Sequence, residues 1–252
     1  MADYENKPIK IRYRMNEDTN LQISTQPPLV IADVSSCPFI RLINADCVEV
    51  MKTFEDKQFD LAIVDPPYGL NFGAFNRTNK DSNGNRYKAN KYHNGDWDKE
   101  TPQDEYWKQL FRVSKNQIVW GGNYFPLPPT QCFIFWYKQN PVANFADGEL
   151  AWTSFKKPAL CFDYRYYGGL QGNTRAETKI HPTQKPKQLY KWLLSKFATE
   201  GQTILDTHLG SGNSAIAAWE EKFSFTGIEI NETYYKNAVN HFKMQSAQTR
   251  LF

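Results

Sequence analysis

The chain has 252 residues, of which 40% are apolar and 15% aromatic, and its formal net charge is +3. This length allows one α/β domain with a sizeable core and leaves little room for a second full domain. The weak positive charge permits nucleic-acid binding without requiring it. No apolar run approaches the roughly 18–20 residues that span a bilayer. The four cysteines include no CxxC pair, so we expect a cytoplasmic protein with reduced thiols.

Residues 1–37 are polar and irregular, and we expect an N-terminal extension in which only the apolar stretch at 29–31 docks on the core. From residue 38 to residue 248, apolar and amphipathic segments alternate, which predicts one doubly wound α/β domain with a mostly parallel, Rossmann-like sheet. The predicted strands are 39–43, 61–64, 117–120, 132–137, 149–155, 160–167, 203–205 and 225–230. The predicted helices are 48–54, 103–113, 187–197, 214–219 and 232–245, and the long polar loops are 71–98 and 168–179.

The motif Asp65-Pro66-Pro67-Tyr68 directly follows the apolar strand at 61–64. Ligands bind beyond the carboxyl ends of strands in open α/β sheets, so this is the expected place for a catalytic loop. An aromatic amine is a poor nucleophile because its lone pair is delocalised into the ring. The Asp65 carboxylate and a proline carbonyl can accept its two N–H bonds and expose that lone pair, while Tyr68 can stack on an extruded base. The alternative is a rigid turn without a catalytic role.

A second motif, from Asp206 to Ala215, follows the strand at 203–205 and opens a helix. The glycines of Gly210-Ser211-Gly212 would let a ligand approach the backbone closely. Glu229 ends the next strand, where an acidic side chain binds ribose hydroxyls. The same pattern fits the dinucleotide fingerprint, so a nicotinamide-dependent oxidoreductase is an alternative from this motif alone. Too little chain follows Glu229 to complete a standard six-stranded dinucleotide domain.

The third motif, from His181 to Pro186, precedes an amphipathic helix. Thr183 is a candidate N-cap for that helix, bounded by prolines. Lys185 is a candidate partner for the carboxylate of a methionine moiety. The pattern by itself does not decide between these two interpretations.

Together, the three motifs resemble the DNA amino-methyltransferases of bacteria and phages in their β-type order, with the catalytic motif first and the Gly-rich motif last. The resemblance implies a class I methyltransferase fold with circularly permuted motifs, in which strands from the end of the chain lie beside the catalytic strand in a seven-stranded sheet. It implies S-adenosylmethionine as cofactor, DNA as substrate, and base flipping followed by direct in-line displacement. The N6-adenine enzymes usually begin the catalytic motif with Asp or Asn and the N4-cytosine enzymes with Ser. N6 of adenine is therefore the expected target, and N4 of cytosine is the alternative.

The resemblance assigns the chemistry to Asp65, Pro66, Pro67 and Tyr68. It assigns cofactor binding to Asp46, Cys47, Thr183, Lys185, Asp206, Leu209, Gly210, Ser211, Gly212, Asn213 and Glu229. It places Asn123, Trp136, Tyr137 and Lys138 at the target base. His208 departs from the family's pattern, which commonly has Phe there, and we expect it to alter packing against the cofactor.

The polar loop at 71–98 is the candidate DNA contact, through Arg77, Arg86, Lys88 and Lys91. Between residues 71 and 91 it carries five cations and one acid, interleaved with aromatic residues. Such a loop can follow phosphates and stack on bases, and a solvated loop is the alternative.

No segment is long enough for an independent target-recognition domain, so a second copy of the chain is one further partner that we consider. A cognate restriction endonuclease, as in a restriction-modification system, is another. A metal site is not expected, because the four histidines are scattered and lack ligand spacing with the cysteines. A DNA-binding subunit without catalysis is the remaining hypothesis, and the intact motif at 65–68 argues against it.

Overall fold

The computed structural model describes residues 29–31, 39–70, 98–140, 146–167, 170–171, 174–175 and 179–248. The predicted DNA contacts Arg77, Arg86, Lys88 and Lys91 lie outside the described residues, as does most of the N-terminal extension. No helix within these ranges is long and apolar enough to cross a membrane.

Every strand and helix predicted from residue 38 onward has a counterpart in the structure. The strands are β1 (Leu29–Ile31), β2 (Ile40–Asn44), β3 (Phe59–Val64), β4 (Ser114–Trp120), β5 (Phe133–Tyr137), β6 (Gly148–Thr153), β7 (Leu160–Asp163), β8 (Tyr166–Tyr167), β9 (Leu170–Gln171), β10 (Thr174–Arg175), β11 (Thr203–Asp206) and β12 (Ser224–Glu229). The helices are α1 (Cys47–Lys52), α2 (Asp104–Val113), α3 (Lys187–Phe197), α4 (Asn213–Glu220) and α5 (Glu232–Gln248).

The main sheet has nine described strands, in the order β1-β2-β12-β11-β3-β4-β6-β5-β7. Neighbours from β2 to β4 are parallel, whereas β6 is antiparallel to both β4 and β5. The predicted doubly wound, mostly parallel α/β fold is therefore confirmed. The seven strands that the resemblance implies are extended at both edges, by β1 and by β7, because an edge strand offers unpaired backbone groups to a further segment.

Different helices cover the two faces of the sheet. On one face, α3, α4 and α5 bury side chains such as Leu193 and Phe242 against Ile63. On the other face, α1 and α2 bury Met51 and Leu110. Burying a side chain of this kind contributes roughly 1.5–3 kcal/mol relative to leaving it exposed. The apolar periodicity that predicts the elements is thus the same feature that holds the three layers together.

The prediction of a polar loop at 168–179 is wrong for two of its segments. β9 and β10 form, together with β8, a second sheet of three short antiparallel strands. The sequence carries a signal for this sheet, because Gly168-Gly169 and Gly172-Asn173 separate the paired segments and such pairs are typical of two-residue hairpin turns. The strand predicted at 160–167 is likewise interrupted between β7 and β8.

The ends of β3 and β11 lie side by side. β11, from the last part of the chain, pairs in parallel with β3 from the first part, with Leu205 opposite Ala62, as the resemblance implies. The helix after β3 packs on one face of the sheet and the helix after β11 on the other. A crevice opens at such a topological switch point, and ligands bind there in open α/β sheets. The catalytic motif and the Gly-rich motif both begin at this edge.

Candidate active site

Asp65 lies at the carboxyl end of β3, where two donors hold its carboxylate. Lys185 Nζ lies 2.5 Å from Oδ2, and the Tyr68 hydroxyl donates to Oδ1 at 2.6 Å. The Lys185 side chain is 3% exposed and the Asp65 side chain 15% exposed. Each carboxylate oxygen keeps a second lone pair. Asp65 can therefore accept further N–H bonds from a ligand while its orientation stays fixed.

The backbone of the catalytic loop is anchored by Asp98, a residue that no motif indicated. Its Oδ1 accepts hydrogen bonds from the backbone N–H groups of Tyr68 at 2.8 Å and Gly69 at 3.1 Å. Asp98 is buried. Because prolines have no N–H, the loop has few donors of its own, and these two bonds fix its turn.

The Tyr68 ring is enclosed by aromatic neighbours and by a glycine. Tyr124 stacks on it with ring centroids 5.0 Å apart, and Phe125 meets it edge-on at 6.1 Å. A Cβ at Gly121 would lie 2.2 Å from Tyr68 Cε1, so only glycine allows this approach. Burial, followed by the nearby charge of Asp65, raises the pKa of Tyr68 well above its ordinary value. The hydroxyl therefore stays protonated and acts as a donor to Asp65.

Lys185, expected to meet the carboxylate of a ligand, instead pairs with two carboxylates of this chain. In addition to its contact with Asp65, its Nζ lies 3.2 Å from Glu149 Oε2. Glu149 in turn contacts Lys138 through Oε1. Burial opposes ionisation of both groups, but their partners outweigh it: the pKa of Lys185 is raised, and Lys185 with Lys138 lowers the pKa of Glu149 to about 2. Two cations and two anions thus form one charge-balanced network.

The segment from His181 to Pro186 joins the two motifs. Asn213 Nδ2 donates to the backbone carbonyl of Lys185 at 2.8 Å, so Lys185 touches the Gly-rich turn through its backbone and Asp65 through its side chain. The interpretation of Thr183 as a helix cap is wrong, because α3 has its N-cap at Pro186 and no side-chain cap. A residue before proline disfavours the helical region, which keeps Lys185 out of the helix.

The Gly-rich turn connects β11 to α4 through two glycines with positive φ. Gly210 has φ +53° and Gly212 has φ +78°. A Cβ at Gly212 would lie 3.2 Å from Ala238 Cβ, so the turn packs closely against α5. Gly212 is also the N-cap of α4, without a side-chain cap, which leaves the first N–H groups of that helix to other acceptors.

Two buried carboxylates hold this turn. Asp206 accepts hydrogen bonds from Ser214 Oγ at 2.6 Å and from the His208 backbone at 3.0 Å, and burial raises its pKa to about 7. Glu229 accepts from the Gly210 backbone at 2.9 Å, and burial raises its pKa as well. Both acids were assigned to cofactor binding by resemblance. In the structure they shape the backbone that a cofactor would meet.

Asp46 and Cys47 lie at the end of β2, beside β12. Asp46 Oδ1 caps α1 by accepting from the Val48 backbone at 2.7 Å and the Glu49 backbone at 3.2 Å. Burial, followed by the charge of Asp46, raises the pKa of Cys47 to about 12. The thiol is therefore protonated, which does not suit it as a nucleophile.

His208, the departure from the family's pattern, is held by neighbouring hydroxyls. Burial lowers its pKa to about 4, so the ring is neutral. Its Nδ1 lies 2.9 Å from Thr207 Oγ1, which meets the Tyr106 hydroxyl at 2.8 Å. The ring also contacts the edge of Tyr106 at 5.5 Å. A hydrogen-bonded chain thus occupies a position where a phenylalanine would offer only apolar packing.

The residues predicted at the target base lie on different faces of the sheet and differ in burial. The alternation of side chains along β5 and at Lys138, which directly follows it, places Trp136 and Lys138 on one face and Tyr137 on the other. Trp136 is buried and donates through Nε1 to the Tyr164 carbonyl at 3.0 Å, so it supports Lys138 from the core, with Lys138 Nζ 4.7 Å from its ring centroid. Tyr137 is exposed on the face away from Lys138. Asn123 is exposed on the turn after β4.

Sequence reasoning missed three residues of the site: Asp98, Glu149 and Tyr124. Glu149 carried a usable signal, because it begins the predicted strand 149–155 directly before the apolar run Leu150-Ala151-Trp152, and an acid drawn into the protein by such a strand requires a partner. Asp98 and Tyr124 carried none, since each reaches Tyr68 only through the folding of distant segments.

The chain matches known proteins in a way that agrees with this geometry. Residues 129–240 match the family model described as DNA methylase, of the N6/N4 type. The chain is 25% identical over 239 residues to the type II methyltransferase M.HpaI of Haemophilus parainfluenzae, covering 79% of this chain and 72% of that protein. It is 24% identical over 240 residues to the type II methyltransferase M2.LlaDCHI of Lactococcus lactis subsp. cremoris, covering 78% and 87%.

Among solved structures, the fold is similar to that of M1.HpyAVI in complex with SAM. The TM-score is 0.50 at 22% identity, covering 80% of this chain and 98% of that one. This likeness concerns the arrangement of strands and helices. The chain is thus similar over residues 129–240 to the DNA methylases of the N6/N4 type, and over most of its length to two type II methyltransferases.

Proposed function

We propose that the chain transfers a methyl group from S-adenosylmethionine to N6 of adenine in DNA, with Asp65 as the acceptor for the target amine. One observation carries this proposal. A carboxylate at the end of β3, beside the Gly-rich turn, is held by Lys185 and Tyr68 and still keeps lone pairs for a ligand. That arrangement suits the orientation of an exocyclic amino group better than it suits hydride transfer, for which Asp65 would have no role.

The Gly-rich turn fits S-adenosylmethionine by the chemistry of its polar atoms. Asn213 Oδ1 is buried and has no hydrogen-bond partner among the residues that the structure describes. An acceptor of this kind suits the ammonium of the methionine moiety, and the first N–H groups of α4 suit its carboxylate. Glu229 and Asp46, at the ends of β12 and β2, would face the ribose and the adenine. When bound, the cofactor supplies an electrophilic methyl group on a sulfonium.

The chain's own residues prepare the amine. Asp65 and the Pro66 carbonyl accept its two N–H bonds, which turns the nitrogen lone pair out of the ring. The lone pair would then face the methyl group of a cofactor held at the Gly-rich turn, and Asp65 with water would take up the proton that the amine loses. Holding reactants in such alignment can contribute about 7–11 kcal/mol to lowering the barrier.

Tyr68 and Tyr124, which stacks on it, are the aromatic rings beside Asp65 against which the base that carries the amine would pack. A base must leave the duplex to reach a pocket of this kind, and stacking on an aromatic ring contributes about 1–3 kcal/mol. The hydroxyl of Tyr68 binds Asp65, so the stacking surface and the amine acceptor are held at a fixed distance from each other.

The experiment must identify the base, because N4 of cytosine presents the same two N–H bonds. Purified protein is incubated with DNA and with S-adenosylmethionine that carries a labelled methyl group, and the nucleosides are separated after digestion. We expect the label in N6-methyladenine, and we expect Asp65→Ala to abolish it without abolishing binding of S-adenosylhomocysteine.

Asp60→Ala is the matched control, because Asp60 is an acid of the same strand that binds Lys115 at the strand's other end. It is expected to keep the rate of transfer. Label recovered solely in N4-methylcytosine would reassign the base, and label in RNA but not DNA would reassign the substrate. Label in neither nucleic acid would overturn the proposal.

A further inference from the structure

We propose that Glu149 is a positioning residue that draws Lys185 away from Asp65 when the target amine arrives. The inference rests on the proposed function, because it concerns the availability of Asp65 during methyl transfer. Glu149 lies on β6, outside every motif of the sequence, and its effect on the reaction would pass through Lys185.

Lys185 lies between two carboxylates at unequal distances. Its Nζ is 2.5 Å from Asp65 Oδ2 and 3.2 Å from Glu149 Oε2. Among the described residues, Glu149 Oε2 makes no hydrogen bond of acceptable geometry despite this short distance. It is therefore a buried acceptor with unused capacity, adjacent to a donor that carries three N–H bonds.

The position of Glu149 is fixed from its other side. Lys138 contacts its Oε1, and Lys138 Nζ also lies 4.7 Å from the centroid of the Trp136 ring. Trp136 is directly opposite Glu149 in the antiparallel pairing of β5 and β6, so their side chains share one face of the sheet. The ladder and Lys138 together keep Oε2 directed toward Lys185.

If the Lys185 ammonium paired only with Asp65, the Asp65 carboxylate would be a weaker acceptor for the amine. The ion pair would withdraw negative charge from Oδ2. When an amine N–H approaches Oδ2, a small rotation of Lys185 moves its hydrogen bond to Glu149 Oε2. No proton is transferred in this step and the sum of charges is unchanged. Asp65 thereby stays anionic and oriented by Tyr68, and Oδ2 gains a second lone pair for the amine in addition to the one that it keeps beside Lys185.

The test compares single-turnover rates of methyl transfer at saturating cofactor and DNA. We expect Glu149→Gln to lower this rate about 10- to 100-fold, by analogy with the loss of residues that orient metal ligands. Affinity for S-adenosylhomocysteine and the KM for DNA should remain at the wild-type level. Glu149→Asp restores the charge, so it should recover part of the rate.

Glu220→Gln is the matched control. Glu220 also lies between two lysines, with Lys187 Nζ at 2.6 Å and Lys191 Nζ at 3.0 Å, at the end of α4 that is remote from the Gly-rich turn. Loss of this acid should leave the rate of methyl transfer unchanged. The comparison separates the loss of a half-buried acid that contacts two lysines from the loss of the contact with Lys185.

Three outcomes would overturn the inference or its basis. A folded Glu149→Gln variant with the wild-type rate would overturn it. It would also be overturned if, in both Glu149→Gln and Glu149→Asp, the rate of methyl transfer fell only as far as the melting temperature and the affinity for S-adenosylhomocysteine fell. If Glu149→Gln does not fold, Glu149→Asp decides alone, with a reduced rate and normal ligand binding expected. Wild-type protein that binds S-adenosylhomocysteine but methylates nothing would instead overturn the proposed function.

Discussion

Asp65 and Asp206 end neighbouring strands, yet their carboxylates have different partners. Asp65 meets the ammonium of Lys185, whereas the described donors to Asp206 are the neutral Ser214 hydroxyl and His208 amide. Without a cation, burial raises the pKa of Asp206 to about 7. Of these two aspartates, Asp65 is the one to which the proposed function gives the amine, while Asp206 holds the turn beside it.

The raised pKa of Asp206 predicts a specific dependence of stability on pH. Its value of about 7 in the folded state lies above the ordinary value of 3.8, so between these values the folded chain holds a proton that the unfolded chain has lost. The contribution of Asp206 to the free energy of unfolding is fully present below the pKa of the unfolded state. It is lost as the pH rises through the pKa of the folded state. Asp206→Asn cannot lose that proton. We expect its free energy of unfolding, relative to wild type, to rise on the order of 2 kcal/mol from pH 5 to pH 8.

Urea denaturation at a series of pH values measures this difference. Comparison with wild type cancels the opposite contribution of His181 and His208, whose pKa values are lowered to about 4, mainly by burial. A difference between the two proteins that does not change with pH would contradict the assignment of a raised pKa to Asp206.

Site residues could be predicted where they are adjacent in the sequence and directly follow a recognisable strand. Asp65 to Tyr68 directly follow an apolar strand, so their place at the sheet edge could be read from the sequence. The partner of Lys185 could not be read, because the approach of Lys185 to Asp65 and Glu149 depends on strands that pair across the switch point. Asp98 was missed for a similar reason, since the long segment 71–97 separates it from the loop that it anchors.

At the scale of elements, the turn after β4 determines how closely the backbone approaches Tyr68. Gly121 has φ +68°, and a Cβ there would lie 2.2 Å from Tyr68 Cε1. Gly201 has φ +85°, but no described atom lies within 4 Å of the position that a Cβ would take there. A side chain in the left-handed region costs roughly 1–2 kcal/mol at either position. At Gly121 the Tyr68 ring must also move.

We therefore expect Gly121→Ala to lower the single-turnover rate of methyl transfer by about tenfold or more, because small misplacements of a reacting group are costly. Gly201→Ala should lose the backbone part of the stability, roughly 1–2 kcal/mol in chemical denaturation, and keep the wild-type rate. Equal rates in the two variants would mean that the close approach of Gly121 does not position Tyr68 for the reaction.

Most helices and strands could be predicted because burial between two helical layers imposes an apolar pattern on β3, β4, β11 and β12. The pattern is weaker at the margins. β9 and β10 have two residues each, too few for a periodicity, and their hairpin signals lie in the connecting glycines. The extra edge strand β1 was foreseen as a docking segment, but its pairing with β2 depends on the tertiary fold.

At the scale of the whole molecule, the site is assembled from both ends of the chain. The catalytic loop follows β3, the Gly-rich turn follows β11, and the segment around Lys185 connects them. Neither part carries a complete site by itself. Contact of DNA with the basic segment 71–98 stays a prediction, as do a homodimer and a cognate restriction endonuclease.

The proposed role of Asp65 is to orient an exocyclic amine of a DNA base for methylation. Sequencing with modified-base detection tests this role inside cells, on DNA from cells that express either the wild-type chain or Asp65→Ala. We expect N6-methyladenine at one recurring sequence in the wild-type cells and its absence with the variant. Modification that is equal in both, or absent from the wild-type cells although the protein is present and folded, would contradict this role.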